Sequence, residues 1–369
     1  MSTPASFVVL SDMHLGYDRS ILNNQEAINK LAAEIGKACG GNEDQKGFTE
    51  KLVLNGDCFE ICIPLDTGFK YGTISPFTST VSSAFFAALA ETTRVNEIVI
   101  VPGNHDWSLW RQLLVNNSRV PNFPCTGYSP YRLKHLGISP VNIEQVIWPL
   151  FGNSYDKYHT ISVAYPAFFL GLQWPYCAFH HGHFLDSLVL GHDAPEKYYA
   201  LSAAGVSSQP NVILDDTETL RSVSLKTDSF VNSLWKANSV SRELMWALIR
   251  RDEAALHCLS VPTSGSRPVA GEKVADMLGA NLQWFTDMLI MDTYAPFPAT
   301  KNKDYPSYLF IGHDHYGGIK DIAGPDGFNW KIINTGGWTD DGNKGITPHC
   351  HIAVWKKGAN APELIAVRV

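Results

Sequence analysis

Five times in this chain a short, mostly apolar run ends and polar residues of a narrow set follow at once. FVVLS leads into Asp12-Met13-His14 and KLVLN into Gly56-Asp57 with Glu60. EIVIVP leads into Gly103-Asn104-His105-Asp106. PYCAF leads into His180-His181-Gly182-His183, and YLFI into Gly312-His313-Asp314-His315. Each run reads as a strand, so the polar residues fall just past a strand's carboxyl end. In open α/β sheets those ends form the ligand crevice, and five such clusters converge on one place.

The order of elements supports such a sheet. Phe7–Ser11, Leu52–Asn55 and Glu97–Val101 read as strands, with helical patterns at Ile21–Cys39, Phe77–Arg94 and from Trp107 to Asn116. This βαβαβα alternation predicts a mainly parallel sheet flanked by helices. Val146–Phe151, Ile161–Tyr165 and Tyr176–Phe179 read as further strands, as do Tyr308–Ile311, Lys331–Asn334, His351–Trp355 and Leu364–Val369. Between about Phe184 and Thr300 the pattern turns helical. Glu243–Leu256 is helix-like, and Val274–Leu289 mostly keeps an i, i+3, i+4 apolar spacing. Residues 184–300 are therefore expected to form a mainly helical insertion or cap within a single domain spanning 1–369.

The clustered residues are Asp, His and Asn, a mixture of oxygen and nitrogen donors. Imidazole suits Zn, Fe and Ni, while carboxylate and amide oxygens admit Mn and Mg. A set of seven drawn from them, two Asp, one Asn and four His, exceeds one tetrahedral ion and suits two ions that share a carboxylate. A pair of metals clamps an in-line displacement at phosphorus and lowers the pKa of bound water to about 7.

The set D-x-H, G-D-x-x-E, G-N-H-D, H-G-H and G-H-x-H, in this order from Asp12 to His315, resembles the calcineurin-like metallophosphoesterase superfamily. Each motif is short, and their joint occurrence after strands is specific. The resemblance implies a four-layer α/β/β/α sandwich of two sheets with outer helices and a dinuclear centre among the loops. It implies Asp12, His14 and His315 on a first metal, Asp57 bridging, and Asn104, His181 and His313 on a second. His105 would face the phosphate and either protonate the leaving oxygen or stabilise the transition state, with Asp106 orienting it. His183 falls at the edge of the site. His180 and His181 are alternatives for one ligand role, and Glu60 is structural or supports the ligands. The ions would be drawn from Mn, Fe, Zn, Co or Ni. SDMHLG, GDCFE and the late NTGGW (Asn334–Trp338) also look like bacterial UDP-2,3-diacylglucosamine diphosphatases. Those enzymes usually carry Arg where this chain has His105, and they lack so long an insertion.

The implied activity is hydrolysis of a phosphomonoester, phosphodiester or diphosphate bond by a metal-bound hydroxide. A nuclease and a non-catalytic scaffold of the same fold are the rivals. Lys plus Arg is 29 against 36 Asp plus Glu, a formal charge of −7, and no Lys/Arg cluster occurs. Binding to nucleic acid rests on basic surface, so a long polyanion is disfavoured. Two divalent ions would place four positive charges in the cleft, and a small or lipid-linked phosphoester remains compatible with that balance. A scaffold should have lost ligands or the His of G-N-H-D, and this chain keeps them all.

Seven cysteines in 369 residues give no disulfide framework, and a reducing, cytoplasmic setting is expected. Cys58 and Cys62 read as buried apolar thiols. Neither a signal peptide nor a transmembrane segment is expected. The uncharged stretch Thr160–Phe179 is broken by Pro166, Gly171 and Pro175 and reads as two buried strands with a turn; peripheral membrane contact is a minor alternative. Trp107 and Trp338 are placed either in the core or on the pocket wall. Cys350 should face away from His349 and His351 along a strand. The sequence leaves oligomeric state open.

Overall fold

The computed structural model describes residues 4–61, 74–103, 105–106, 109, 131–135, 144–164, 167–170, 177–182, 307–313, 315, 317–323, 329–340 and 350–368. Among the described residues, twelve strands form two sheets. The first holds β1 (Ala5–Leu10), β2 (Gly47–Asn55), β3 (Thr93–Val101), β4 (Tyr131–His135), β5 (Thr160–Val163), β11 (His351–Lys356) and β12 (Glu363–Ala366), in the order β12-β11-β1-β2-β3-β5-β4. Its centre, β1 through β3 to β5, is parallel, and its edges are antiparallel. The second holds β6 (Ala167–Leu170), β7 (Cys177–His180), β8 (Tyr308–Ile311), β9 (Gly318–Ala323) and β10 (Asn329–Asn334), in the order β6-β7-β8-β10-β9. Here β7, β8 and β10 are parallel.

Side-chain alternation explains how the sheets stack. Phe7 and Val9 of β1 enter a core shared with Val53, Val99, Phe168, Phe179, Phe310 and Ile333, whereas Val8 and Leu10 point the other way. In that inter-sheet core Phe7 meets Phe179 edge-on at 5.5 Å and Phe310 at 5.6 Å, and Phe179 stacks on Phe310 at 4.8 Å. Both geometries are favoured by the ring quadrupole.

Helices α1 (Gln25–Ala38) and α2 (Pro76–Thr92) pack together against the apolar side chains on the other face of the first sheet. Asn24 caps α1 by accepting the Glu26 amide at 2.8 Å, and Ile28, Leu31 and Ile35 make its buried stripe. Ser75 caps α2 by accepting the Thr78 amide at 3.0 Å, with Pro76 in the first turn, where no amide hydrogen is needed. Three of the four expected layers thus lie within the described residues, and the α/β class is the observed one.

One expectation is overturned. Val146–Phe151 is not a strand but most of helix α3 (Glu144–Phe151). Ile147, Leu150 and Phe151 are buried while Trp148 is exposed, which is a helical spacing. Six apolar residues containing Pro149 are too short a run for period alone to decide. Phe151 stacks on Phe86 of α2 at 3.9 Å, so the contact that selects the helix is distant in sequence. The helix read from Ile21 opens with a separate 3₁₀ turn, Ile21–Asn23, because Asn24 is extended and caps α1. Strands β4, β6 and β9 were not expected.

The uncharged stretch Thr160–Phe179 contributes β5 to the first sheet and β6 and β7 to the second. It crosses between the sheets, and its described residues are buried apart from half-buried Leu170. Among the described residues no helix is long and apolar enough to cross a membrane. Cys39, Cys58, Cys177 and Cys350 are buried free thiols. The insertion at 184–300 and its two helices lie outside the described residues, as does nearly all of Trp107–Asn116.

Candidate metal centre

The carboxyl ends of β1, β2 and β3 in one sheet and of β7, β8 and β10 in the other open on the same rim of the sandwich. Asp12 and His14 follow β1, Asp57 follows β2, His105 and Asp106 follow β3, His181 follows β7, and His313 and His315 follow β8. Donor atoms of Asp12, His14 and His315 lie within 4.8 Å of one another, as do those of Asp57, His181 and His313, and those of His14, Glu60 and His105. The expected residues from distant motifs therefore do come together. Asn104, His183 and Trp107 lie outside the described residues.

Backbone conformation sets these side chains. Asp12, His14, Asp57, His313 and His315 have φ of 50°, 46°, 49°, 75° and 60°, and they are the non-glycine residues with positive φ among those described. Such backbone is uncommon outside glycine, and Asp and His tolerate it better than most. Its clustering in one loop set marks a site held in place by its surroundings. Close approach requires glycine nearby: a Cβ on Gly56, itself at φ +86°, would lie 2.3 Å from the His181 ring, and one on Gly312 would lie 2.2 Å from Asp12 Oδ2.

The imidazoles share an orientation. His14 Nδ1 donates to Glu60 Oε2 at 3.3 Å, His181 Nδ1 donates to the Asn55 carbonyl at 3.2 Å, and His315 Nδ1 lies 3.0 Å from Thr339 Oγ1. The outer nitrogens are thus engaged by the scaffold, and the Nε2 atoms turn inward. There His14 Nε2 lies 3.2 Å from His315 Nε2, and His181 Nε2 lies 3.0 Å from Asp57 Oδ2. With Nδ1 giving its proton to a carbonyl, a neutral His181 presents a lone pair on Nε2 to a carboxylate oxygen. Two acceptors at that distance repel unless a cation lies between them, so the donor set fits a metal.

The electrostatics agree. Burial holds His181 and, with the neighbouring His14, His315 below the usual imidazole range, which keeps them neutral donors. Burial opposes the charge on Asp57, but a proton on His181, where it binds one, and the proton on His105 outweigh it and hold the carboxyl low. Burial, then Asp57, pushes Asp12 up. A divalent ion would reverse that last effect by supplying the missing positive charge.

His105 carries a different partner from the one expected. Asp106 does not orient its ring. The Asp106 carboxylate accepts the backbone amides of Gly103 and Cys58 instead, and so pins the loop after β3 to the loop after β2. The reason is geometric: Asp106 points inward and is fully buried, while the ring of His105 turns toward Glu60, whose Oε1 and Oε2 lie 3.0 and 3.1 Å from Nδ1. His105 Nε2 is left 4.0 Å from Asp57 Oδ2. Burial disfavours a charged His105, yet Glu60 and Asp57 overcome it and raise its pKa to about 10. Burial and the charge of Asp57 raise Asp106 to about 7.

Of the two adjacent histidines, His181 meets Asp57, while His180 Nδ1 accepts the Gly182 amide at 2.8 Å. Trp338 belongs to the core, fully buried, and its amide donates to the Asp12 carbonyl at 3.1 Å. The NTGGW segment therefore supports the loop after β1 and delivers Thr339 to His315. No spacing in the sequence announces Thr339. Glu60 was visible as the last residue of G-D-x-x-E, without its partner.

No protein-family model matches the chain, and none of the curated proteins matches it. Among solved structures it is similar to a conserved Streptococcus pneumoniae TIGR4 protein described as a predicted phosphoesterase. That likeness has 9% identity and a TM-score of 0.24, and covers 99% of each chain. It is also similar to the phosphopantetheinyl hydrolase of Mycobacterium tuberculosis, with 11% identity and a TM-score of 0.31, over 96% of this chain and 95% of the other.

Proposed function

We propose that this chain is a metal-dependent hydrolase of phosphoesters, built as a calcineurin-like metallophosphoesterase with residues 184–300 covering the site. The observation that carries the reading is the inward face of the imidazoles, above all His181 Nε2 at 3.0 Å from Asp57 Oδ2 behind an Nδ1 already engaged. Asp12, His14 and His315 would hold one divalent ion, and His181 and His313, with Asn104, a second, with Asp57 bridging. Bound there, the ions would supply positive charge for the phosphate oxygens and make water acidic enough to yield a nucleophile near neutral pH.

The chain's own residues account for the remaining steps. His105, with Nδ1 anchored on Glu60, holds a proton on Nε2 and gives it to the oxygen that leaves phosphorus. Glu60 stabilises the charged ring and fixes its direction. Asp106 keeps the loop bearing His105 against the loop bearing Asp57. The low count of Lys and Arg is no obstacle, because the charge that meets phosphate arrives with the ions.

The test is metal analysis of protein purified without chelator, together with turnover of p-nitrophenyl phosphate, its bis-ester and nucleoside-diphosphate conjugates, including lipid-linked ones. About two ions per chain and turnover that a chelator abolishes are expected. Fewer than about one ion per chain refutes the dinuclear centre. Hydrolysis confined to monoesters eliminates the diphosphatase alternative. Full turnover by both Asp57→Asn and His105→Ala removes the roles assigned to those residues, and a metal-binding protein inert to every ester would be the scaffold.

A further inference from the structure

Where the two sheets meet beneath the metal centre, one buried amide touches both. Asn55 is the last residue of β2 and is fully buried. Its Nδ2 donates to the Phe310 carbonyl of β8 at 3.1 Å and to the His180 carbonyl of β7 at 3.3 Å. Its own main-chain carbonyl accepts from His181 Nδ1 at 3.2 Å. One residue of the first sheet thus ties down two strands of the second and also fixes the tautomer of a candidate ligand.

The position of these bonds gives them their consequence. Asn55 stands two residues before Asp57, Phe310 three before His313, and His180 immediately before His181. The donors Asp57, His181 and His313, drawn from different sheets, therefore share one anchor. Apolar packing between the sheets is non-directional and tolerates small slips of one sheet over the other. Hydrogen bonds at 3.1–3.3 Å do not. Both acceptors are carbonyl oxygens, so only the amide nitrogen can face them, and asparagine is the shortest side chain that offers two hydrogens from one atom.

We infer that Asn55 is a positioning residue for the metal centre, setting the distance between the Asp57 side and the His181–His313 side of the donor group and holding His181 with Nε2 inward. The inference rests on the metal-centre reading proposed above.

The test compares Asn55→Asp and Asn55→Leu with Val99→Ala. Aspartate keeps the shape and turns an acceptor toward two carbonyls; leucine keeps the bulk and removes both donors. Val99 is fully buried in the inter-sheet core and is not one of the candidate donors, so it controls for destabilisation alone. Mn²⁺ binding to each folded protein is measured by equilibrium dialysis, with thermal midpoints recorded in parallel. Both Asn55 variants should bind Mn²⁺ about 10–100-fold more weakly, the usual penalty for losing a group that orients a ligand, and should regain turnover as Mn²⁺ is raised. Val99→Ala should lose midpoint without losing Mn²⁺ affinity. Wild-type affinity in both Asn55 variants, or an equal loss in Val99→Ala, overturns the inference. Should the aspartate and leucine variants not fold, Asn55→Ser, which keeps one donor, is read by the same criterion. No Mn²⁺ binding by the wild type, tried also with Zn²⁺ and Co²⁺, would instead refute the metal-centre reading itself.

Discussion

Replacing Glu60 by Gln tests the proposed chemistry with little change of shape. Glu60 accepts from His105 Nδ1 at 3.0 and 3.1 Å and from His14 Nδ1 at 3.3 Å. Glutamine keeps one acceptor oxygen but points an NH₂ group at the other imidazole hydrogen, and it removes the charge that most raises His105. A hydrogen bond to a charged group contributes about 1.5–3 kcal/mol, and every 1.4 kcal/mol is tenfold, so turnover should fall about 10–100-fold through His105. The assay is kcat and kcat/KM on a p-nitrophenyl ester and on an alkyl ester of the same phosphate, at saturating metal. The nitrophenol leaves as a stable anion and hardly needs a proton, whereas the alkoxide does; the loss should therefore be larger for the alkyl ester. In the double variant with His105→Ala, Glu60→Gln should add little beyond what it costs through His14. Equal losses on both esters, or full additivity with His105→Ala, would refute the proton-donor role of His105 and the supporting role of Glu60.

Other outcomes follow from the same geometry. Gly312→Ala should lower metal content and turnover together, because its Cβ would lie 2.2 Å from Asp12 Oδ2 and must push that carboxylate aside; metal analysis of the purified variant reads this directly. Phe179→Ala should destabilise the fold by about 3–5 kcal/mol in urea titration, since a fully buried ring stacked on Phe310 and edge-on to Phe7 leaves a cavity between the sheets. In metal-free protein the pKa of His105 is raised from 6.5 to about 10, so its stabilising contribution is complete below pH 6.5 and is lost as pH rises toward 10. The thermal midpoint of chelated protein should decline across that window, and His105→Ala should flatten the decline. Finally, Mn²⁺ added to unbuffered metal-free protein near neutral pH should release protons, because burial and Asp57 keep Asp12 above the usual carboxylate range until a cation arrives; a pH-stat measures the release.

Legibility in the sequence followed the range of the forces involved. β1, β2, β7 and β8 were readable because apolar runs ending in Asp, His or Gly carry the strand and its end in the same few residues. The site residues were readable for the same reason, since each donor stands within four residues of a strand end. What was not readable depends on contacts across the chain. VIWPLF becomes helix because Phe151 stacks on Phe86, which lies 65 residues earlier. β9, GIKDIA, has charges at its centre and becomes a strand by pairing with β10 at a sheet edge, where half its backbone faces away from a partner. Asp106 beside His105 looked like its orienter because adjacent residues suggest adjacent side chains; the two side chains point to different partners, Asp106 to the amides of Gly103 and Cys58 and His105 to Glu60, the carboxylate three residues after Asp57. Asn55 and Thr339 had no local signature at all, because each acts on a histidine more than 20 residues away.

The strained backbone binds these observations together. Asp12 and His14 in D-x-H, and His313 and His315 in H-x-H, repeat one conformation: positive φ at the first and third residue, in loops that leave different sheets. Such backbone costs on the order of 1–3 kcal/mol per residue when neighbours do not enforce it, and five residues approach the whole stability of an ordinary domain. Here the neighbours enforce it. The Asp12 amide donates to the Gly56 carbonyl at 3.0 Å, the His14 amide to the Asp57 carbonyl at 2.9 Å, the His313 amide to Asp12 Oδ1 at 2.8 Å, and the Gly337 amide to the His315 carbonyl at 3.1 Å. These bonds run from each loop to the next, so no loop holds its shape alone. A change at one strand end is therefore expected to reach donors on the others, and for the same reason D-x-H and H-x-H keep a single intervening residue: two would break the register of amides that lock the loops to each other.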